Sequence, residues 1–342
     1  MSHLELVLWM GLASGLAFGA CGQITGFCLQ RGLKEYWSGG DGYKLQAFAV
    51  ALAIALLGTQ ALASAGLVDL GKSLYMMPTW SWLLVPAGGL MFGYGMGLAN
   101  GCGARALVLL SQGNLRSFVV LICLGIAAYM TLTGILGPWR VALFAQTSIS
   151  PPLLTVPDGW PRHIVAWLAA VALVLFALRS GRPGKRARDL AGGAIVGLLV
   201  AAGWFITGSL GADDFEPVPV MSLTFVAPIG DTLQYAMIAT GMSLRFGIAV
   251  VAGVLGGAFL AAMLRGQCRL EGFESPRQML RYMAGGVLMG VGGALAFGCS
   301  IGQGLTGLST LSGSSLVAAL AILAGARLAW KRPALQNALE AA

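Results

Sequence analysis

The sequence predicts an all-α polytopic membrane protein of about nine transmembrane helices with re-entrant half-helices, arranged as pseudo-symmetric inverted repeats. Three observations predict it. Charged residues make up only 10% of the chain and hydrophobic residues 57%, whereas a soluble domain carries about 25% charged residues. Apolar stretches long enough to cross a bilayer recur along the whole length, since about 17 to 25 helical residues span the hydrocarbon core. A Gly-rich segment also occurs twice, 197 residues apart.

Reading apolar runs against charged or Pro-rich breaks places spans near residues 4–27, 45–67, 82–100, 117–137, 163–178, 190–208, 246–264, 281–297 and 314–330. Residues 101–113, 219–242 and 299–312 are apolar but broken by Gly or Pro, which predicts re-entrant segments. Glycine reaches 51 residues, about twice its usual ~7%, and much of it recurs every fourth residue within apolar runs, the pattern of closely packed helices. The net charge of +8 sits in short loops and forms no basic stripe interleaved with aromatics, which excludes a nucleic-acid surface. It reads as a topology signal. The first apolar run follows His3 and Glu5 with no basic stretch before it, so a cleaved signal peptide is not expected.

The run Arg179, Arg182, Lys185, Arg186 and Arg188 belongs in the cytoplasm by the positive-inside rule. Alternating the spans from there puts 17 of the 21 basic residues inside. Lys72, Arg140, Arg162, Arg245 and the acidic Asp213, Asp214 and Glu216 fall outside. The expected orientation is N-terminus outside and C-terminus cytoplasmic, in a plasma (inner) membrane. The chain reads as one integral domain over 1–342: a first repeat half with an extra span (1–178), a basic cytoplasmic linker (179–189) and a second half (190–342).

The repeat itself is GGLMFGYGMGLANGC from Gly88 to Cys102 and GGVLMGVGGALAFGC from Gly285 to Cys299, identical at eight of fifteen positions. The predicted topology inserts the copies in opposite directions. Broken helices at matching positions of two inverted halves are the best sequence pointer to a transport site near the bilayer midplane.

Cys102 and Cys299 occupy the same place in the repeat, each preceded by a glycine, Gly101 or Gly298, and followed by a half-helix. Backbone N–H groups at such a helix start attract anions. Uncharged thiols do not repel an anion and are weak, polarizable donors, a lining that favours an anion with a soft sulfur end over a hard oxyanion. Near the N-terminus, Gly11, Gly15 and Gly19 lead into CGQITGFCLQRG, where Cys21 and Cys28 stand two turns apart if the helix is unbroken. Gln23 and Gln303 are polar groups at membrane depth; each either donates to the solute or satisfies carbonyls freed at a helix break. Arg105 reads as an interfacial anchor or as an attractor at the inner mouth, and Asp231 as an intramembrane proton or cation partner or a surface residue. The remaining cysteines, Cys123 and Cys268, read with Cys21 as packing residues. No CxxC pair is present, so neither a disulfide framework nor a zinc site is expected.

The segments GFCLQRGLKEYW around Cys28, GGLMFGYGMGLANGCGARALVLLS around Cys102 and RYMAGGVLMGVGGALAFGCSIGQGLTGLSTLS around Cys299 resemble the YeeE/YedE family over nearly the whole chain. The resemblance implies an inner-membrane permease, not an enzyme, with an hourglass of helices. It implies uptake of thiosulfate or a closely related sulfur anion, passed along three central protonated cysteines that match Cys28, Cys102 and Cys299; Cys21 has no counterpart. It also implies a cytoplasmic TusA-type sulfur-carrier protein as partner, and no cofactor or metal. The competing expectation is a membrane thiol protein that forms a persulfide or disulfide among these cysteines. A soft-metal transporter is disfavoured because too few ligands cluster.

Overall fold

The computed structural model describes residues 3–150, 160–178, 183–212 and 218–331. Arg179, Arg182 and Arg332, the side chains of Lys185 and Arg186, and the acidic stretch from Asp213 to Glu216 lie outside the described residues. Helices run in the order α1 His3–Thr25, α2 Leu29–Trp37, α3 Tyr43–Ser64, α4 Leu84–Leu98, α5 Gly103–Leu110, α6 Leu115–Leu132, α7 Gly137–Thr147, α8 Trp160–Leu178, α9 Pro183–Phe205, α10 Val226–Ile238, α11 Phe246–Leu264, α12 Pro276–Leu295 and α13 Gly313–Trp330. A π-helical turn, Ile206–Leu210, extends α9, and a second, Gly302–Gly307, precedes α13. The two-residue strands Trp80–Ser81 and Ser148–Ile149 pair antiparallel.

A helix lies on each of the nine expected spans. Seven of these are long and apolar enough on their own to cross a membrane. The exceptions are α4, only 15 residues long, and α12, which opens on the charged Arg277 and Arg281. These two are the Gly-rich repeat copies. They pack on each other, with α13 against α4 and α6 against α12.

Glycine sets how closely these helices approach, and the distances repeat across the two halves. A Cβ on Gly88 would lie 2.6 Å from the Gly292 carbonyl oxygen and 2.7 Å from the Ala296 nitrogen. One on Gly285 would lie 2.9 Å from both the Gly95 carbonyl oxygen and the Ala99 nitrogen. Gly285, Gly292 and Ala296 stand 197 residues after Gly88, Gly95 and Ala99. The contact is therefore self-complementary and antiparallel, as a pseudo-two-fold axis requires. The flanking pairs repeat the pattern: Gly93 approaches Ile322 and Ala326, as Gly290 approaches Leu124 and Ala128.

The outer pairs follow the same rule. Gly15 and Gly19 of α1 meet the Val250 and Val254 carbonyls of α11, each at 2.2 Å from the added Cβ. Gly193 and Gly197 of α9 meet the Ala47 and Ala51 carbonyls of α3 at 2.1 and 2.5 Å. The run α1 to α6 thus corresponds in order to α9, α10, α11, α12, the second π-helical turn and α13. Additional to both halves are α7 and α8. The latter packs on α3 and exposes Trp167, Leu168 and Leu175, the face of a helix that meets lipid.

Backbone conformation repeats as well. Both repeat helices end on a left-handed residue, Asn100 (φ 54°) and Phe297 (φ 56°), with Gly101 N–H donating to Met96 and Gly298 N–H to Gly293 at 3.1 and 2.9 Å. This six-to-one closure is the Schellman stop. It reverses the chain sharply and delivers the following cysteine to the interior.

Cations concentrate at one end. The last carbonyls of α1 receive cations from three other helices and from the end of α11: Arg105 at Gly22, Arg188 and Arg265 at Ile24, and Lys44 at Thr25, at 2.5 to 3.4 Å. Cations at a helix C-terminus offset its negative dipole end. At the opposite end His3 meets Leu210, and Arg162 donates to Gln60 and Thr310.

Candidate functional site

Three helix breaks converge on the interior. The first lies between α1 and α2, where Gly26 takes φ +66° and Cys28 is extended (φ −166°, ψ 128°) ahead of α2. The second is the turn after α4, with Cys102 extended ahead of α5. The third is the turn after α12, with Cys299 ahead of the π-helical turn. All three thiols are buried, at 4%, 2% and 2% exposure.

Cys28 and Cys102 are neighbours in the interior, each the other's nearest titratable influence. Near Cys102 is also the Ser300 hydroxyl, which is fully buried and has no hydrogen-bond partner among the described residues. Ser300 follows Cys299, so the three buried thiols lie one after another in the interior, a thiol line whose members are near one another with no hydrogen bond between them. The Cys299 sulfur accepts the Gly302 N–H at 3.2 Å and is approached by the Ile301 and Phe225 amides. The N–H groups expected to await a solute at this helix start are thus directed at the cysteine's own sulfur. With its lone pairs engaged, the thiol is left to act as a donor.

On the Cys299 side the line continues through two hydroxyls. Thr224, just before α10, lies near Cys299, and the Tyr75 hydroxyl lies near Thr224. A Cβ on Gly302 would lie 2.6 Å from Thr224 Oγ1 and 3.2 Å from the Tyr75 hydroxyl, so glycine there lets the hydroxyls approach the turn. Tyr75 and Thr224 line the floor of a cavity of about 540 Å³ whose walls include Lys72, Val226, Phe297 and Gly298.

On the Cys28 side the line ends among cations. Arg105 lies close to both Cys28 and Cys102. A Cβ on Gly26 would stand 3.3 Å from Arg31 Nη1 and 3.4 Å from Lys44 Nζ, so two further cations flank that turn. The site is therefore polarised, with hydroxyls at one end, thiols in the middle and positive charge at the other.

The other residues singled out from the sequence fall as follows. Gly101 and Gly298 close the two Schellman turns, and Gly298 also lines the cavity. Gln303 donates to the Ala296 carbonyl at 2.5 Å, tying the end of α12 to the π-helical turn. Gln23 donates to Gln267 at 3.0 Å, beside the cationic end of α1. Each glutamine is engaged by the protein through its amide nitrogen, and each side-chain oxygen is without a hydrogen-bond partner among the described residues. Cys21 donates to the Gly192 carbonyl at 3.5 Å, Cys123 packs against Gly286, and Cys268 is exposed. Asp231 accepts from Tyr129 and pairs with Arg245 at 3.7 Å, facing a separate cavity of about 530 Å³. It stands apart from the thiol line.

Sequence reasoning missed Tyr75, Thr224 and Ser300. Ser300 was legible as the neighbour of Cys299. Tyr75 and Thr224 sit in irregular segments between spans, where no periodicity or repeat marks them.

Two curated proteins resemble the chain along most of its length. The thiosulfate transporter TsuA of Escherichia coli (strain K12) is 26% identical over 326 residues, covering 86% of each chain. The thiosulfate transporter TsuA of Spirochaeta thermophila is 25% identical over 333 residues, covering 93% of this chain and 97% of the other. Residues 25–328 match the family described as sulphur transport. Those residues contain Cys28, Cys102 and Cys299 and every helix from α2 to α12, and the chain belongs to this family, also called YeeE/YedE.

Proposed function

We propose that the protein is a plasma-membrane permease that takes up thiosulfate or a closely related sulfur anion, passing it along Cys299, Cys102 and Cys28 while the thiols stay protonated. The observation that supports this reading is the gathering of three buried thiols at the three helix breaks, between a cavity of about 540 Å³ and the cations Arg105, Arg31 and Lys44. The names of the two relatives support the substrate. A solute must bind well enough to enter and weakly enough to leave, and thiols meet both demands because they are weak donors. The positive-inside rule makes the cationic end cytoplasmic, which leaves the N-terminus outside and the C-terminus inside. Positive charge at the inner mouth then draws the anion forward. The division into halves at 1–178 and 190–342 belongs to this reading, because it places one repeat cysteine on each side of the pseudo-axis.

Two negative charges entering against an inside-negative potential cost about 4.6 kcal/mol per 100 mV. Consumption of the anion in the cytoplasm offsets this, and a TusA-type carrier protein at the inner mouth is the partner we propose for it. Uptake of ³⁵S-thiosulfate in cells lacking other sulfate and thiosulfate importers tests the reading. Cys102→Ala and Cys299→Ala should each abolish growth on thiosulfate while the protein still reaches the membrane. Unimpaired growth in both variants overturns it.

The nearness of Cys28 and Cys102 supports a second reading, a membrane thiol protein that forms a disulfide or persulfide there. Intact-mass analysis of the protein during turnover separates the two. An obligatory covalent sulfur adduct favours the second reading, and unmodified thiols throughout uptake favour the permease.

A further inference from the structure

The cavity floor poses a question that the thiols alone do not answer. A sulfur oxyanion leaving water there must surrender hydrogen bonds from its oxygens, and an unpaired charge away from water is costly. The cavity walls are largely aliphatic and aromatic, and Lys72 lies at an exposed position among them. Beside Cys299 stand the hydroxyls of Tyr75 and Thr224: a Cβ on Gly302, whose N–H donates to the Cys299 sulfur at 3.2 Å, would lie 2.6 Å from Thr224 Oγ1 and 3.2 Å from the Tyr75 hydroxyl. Hydroxyls are stronger and harder donors than thiols.

Both are held firmly. The Tyr75 ring stands edge-on to Trp204 with centroids 6.2 Å apart, and Trp204 is fully buried with its indole N–H donating to Ser309 at 3.3 Å. The turn before Tyr75 is tied by the Ser73 hydroxyl donating to Leu70 at 2.7 Å. Thr224 is fixed between Leu223, whose carbonyl accepts from Thr306 at 2.7 Å, and the fully buried Phe225. Preorganised donors bind without losing side-chain freedom at the moment of contact. The inner end differs: the cysteine ahead of α2 stands where Phe225 stands ahead of α10, and its surroundings supply guanidinium and ammonium groups in place of hydroxyls.

We propose that Tyr75 and Thr224 are specificity-determining residues of the permease. Their hydroxyls bind the oxygen end of the incoming sulfur anion while Cys299 receives its sulfur end, so that the solute is oriented before it enters the thiol line. The inference rests on the permease reading above and adds to it the residues that recognise the oxyanion at entry. Thiosulfate carries one soft and one hard end and satisfies both donor types at once. An anion with oxygens alone leaves the thiol poorly matched, and hydrosulfide leaves the hydroxyls unmatched.

The test uses Tyr75→Phe and Thr224→Val, which keep ring and volume and remove only the hydroxyl, with Thr224→Ser as the variant that restores it. Initial rates of ³⁵S-thiosulfate uptake are measured against concentration in energised cells or vesicles, with the amount of folded protein quantified for each variant. Tyr75→Phe and Thr224→Val should raise KM about tenfold or more, the loss that follows when a hydrogen bond to a charged group is removed. The maximal rate per folded protein should stay within about twofold, and Thr224→Ser should retain a KM near that of the wild type. The inference is overturned if both hydroxyl deletions leave KM within twofold, or if Thr224→Ser is impaired as much as Thr224→Val. Absence of thiosulfate uptake by the wild-type protein instead overturns the permease reading, and this inference with it.

Discussion

The glycine contacts between α4 and α12 make a quantitative prediction for Gly88→Ala and Gly285→Ala. An ordinary Cβ contact begins near 3.4 Å, whereas the added methyl would stand 2.6 Å from the Gly292 carbonyl in the first variant and 2.9 Å from the Gly95 carbonyl in the second. The obstacles are backbone atoms of the facing helix, so they cannot rotate away. The helices must separate by about 0.8 Å and 0.5 Å respectively, and a gap of that size forfeits about a quarter to a half of the dispersion energy of the contacts it opens. Overpacking of this kind costs about 1–3 kcal/mol, with Gly88→Ala the more severe. One displacement relieves both clashes, because the two positions are related by the pseudo-two-fold axis. The double variant should therefore lose less than the sum of the single losses, a coupling of about 0.5 kcal/mol or more. The assay is thermal unfolding in detergent at one fixed scan rate, with Gly256→Ala as control because its methyl meets only the Leu16 side-chain tip at 3.3 Å. Equal stability of Gly88→Ala and Gly256→Ala, or strict additivity in the double variant, would refute the reasoning.

Two further predictions concern the inner mouth and the strained turn. Arg105→Gln removes the cation nearest Cys28 and Cys102 and should cut thiosulfate uptake about tenfold or more, whereas Arg31→Gln, which removes a half-exposed guanidinium already paired with Glu35 at 3.3 Å, should cost about twofold or less; equal effects on initial uptake rates would argue against a special role for Arg105. Phe297→Asn relieves about 1 kcal/mol of left-handed strain at φ 56° but gives up an edge-on contact with Phe144 at 6.1 Å, itself about 0.5–1.5 kcal/mol. Melting of the Asn variant should fall within a few degrees of the wild type, while Phe297→Val, β-branched and strained there, should melt well below both.

Much of the architecture was legible because the bilayer simplifies the physics. A span must be apolar, about 20 residues long and helical, so nine helices appear where the apolar runs predict them. The repeat was legible because Gly88, Gly93 and Gly95 and their counterparts, Gly285, Gly290 and Gly292, must lack a side chain for the helices to touch. That need leaves a mark in the letters. Helix assignment of α10 and of α2 was harder to read, since Pro228 within α10 and Gly32 with the charged Arg31, Lys34 and Glu35 within α2 break the apolar pattern.

The candidate site was legible only in part. Cys102 and Cys299 are marked by the repeat, and Cys28 by its resemblance to a family segment. Tyr75 and Thr224 carry no such mark, because they sit in irregular segments 149 residues apart that only the packed fold brings together. Gln303 was readable as a polar group at membrane depth, but whether it faced a solute or a backbone carbonyl depended on how the turn after α12 closed.

Sequence alone determined that this chain lives in lipid, that it is built from helices, and that it carries two related halves, because hydropathy and glycine spacing act along the chain and need no partner to be seen. Only the tertiary structure decided which side chains share the interior line. A break 74 residues away brings Cys28 near Cys102, and a loop in the opposite half brings Tyr75 near Cys299. Such meetings depend on the angle at which each helix stops and on the close approach of glycine-faced pairs, properties of several segments at once that no single segment encodes.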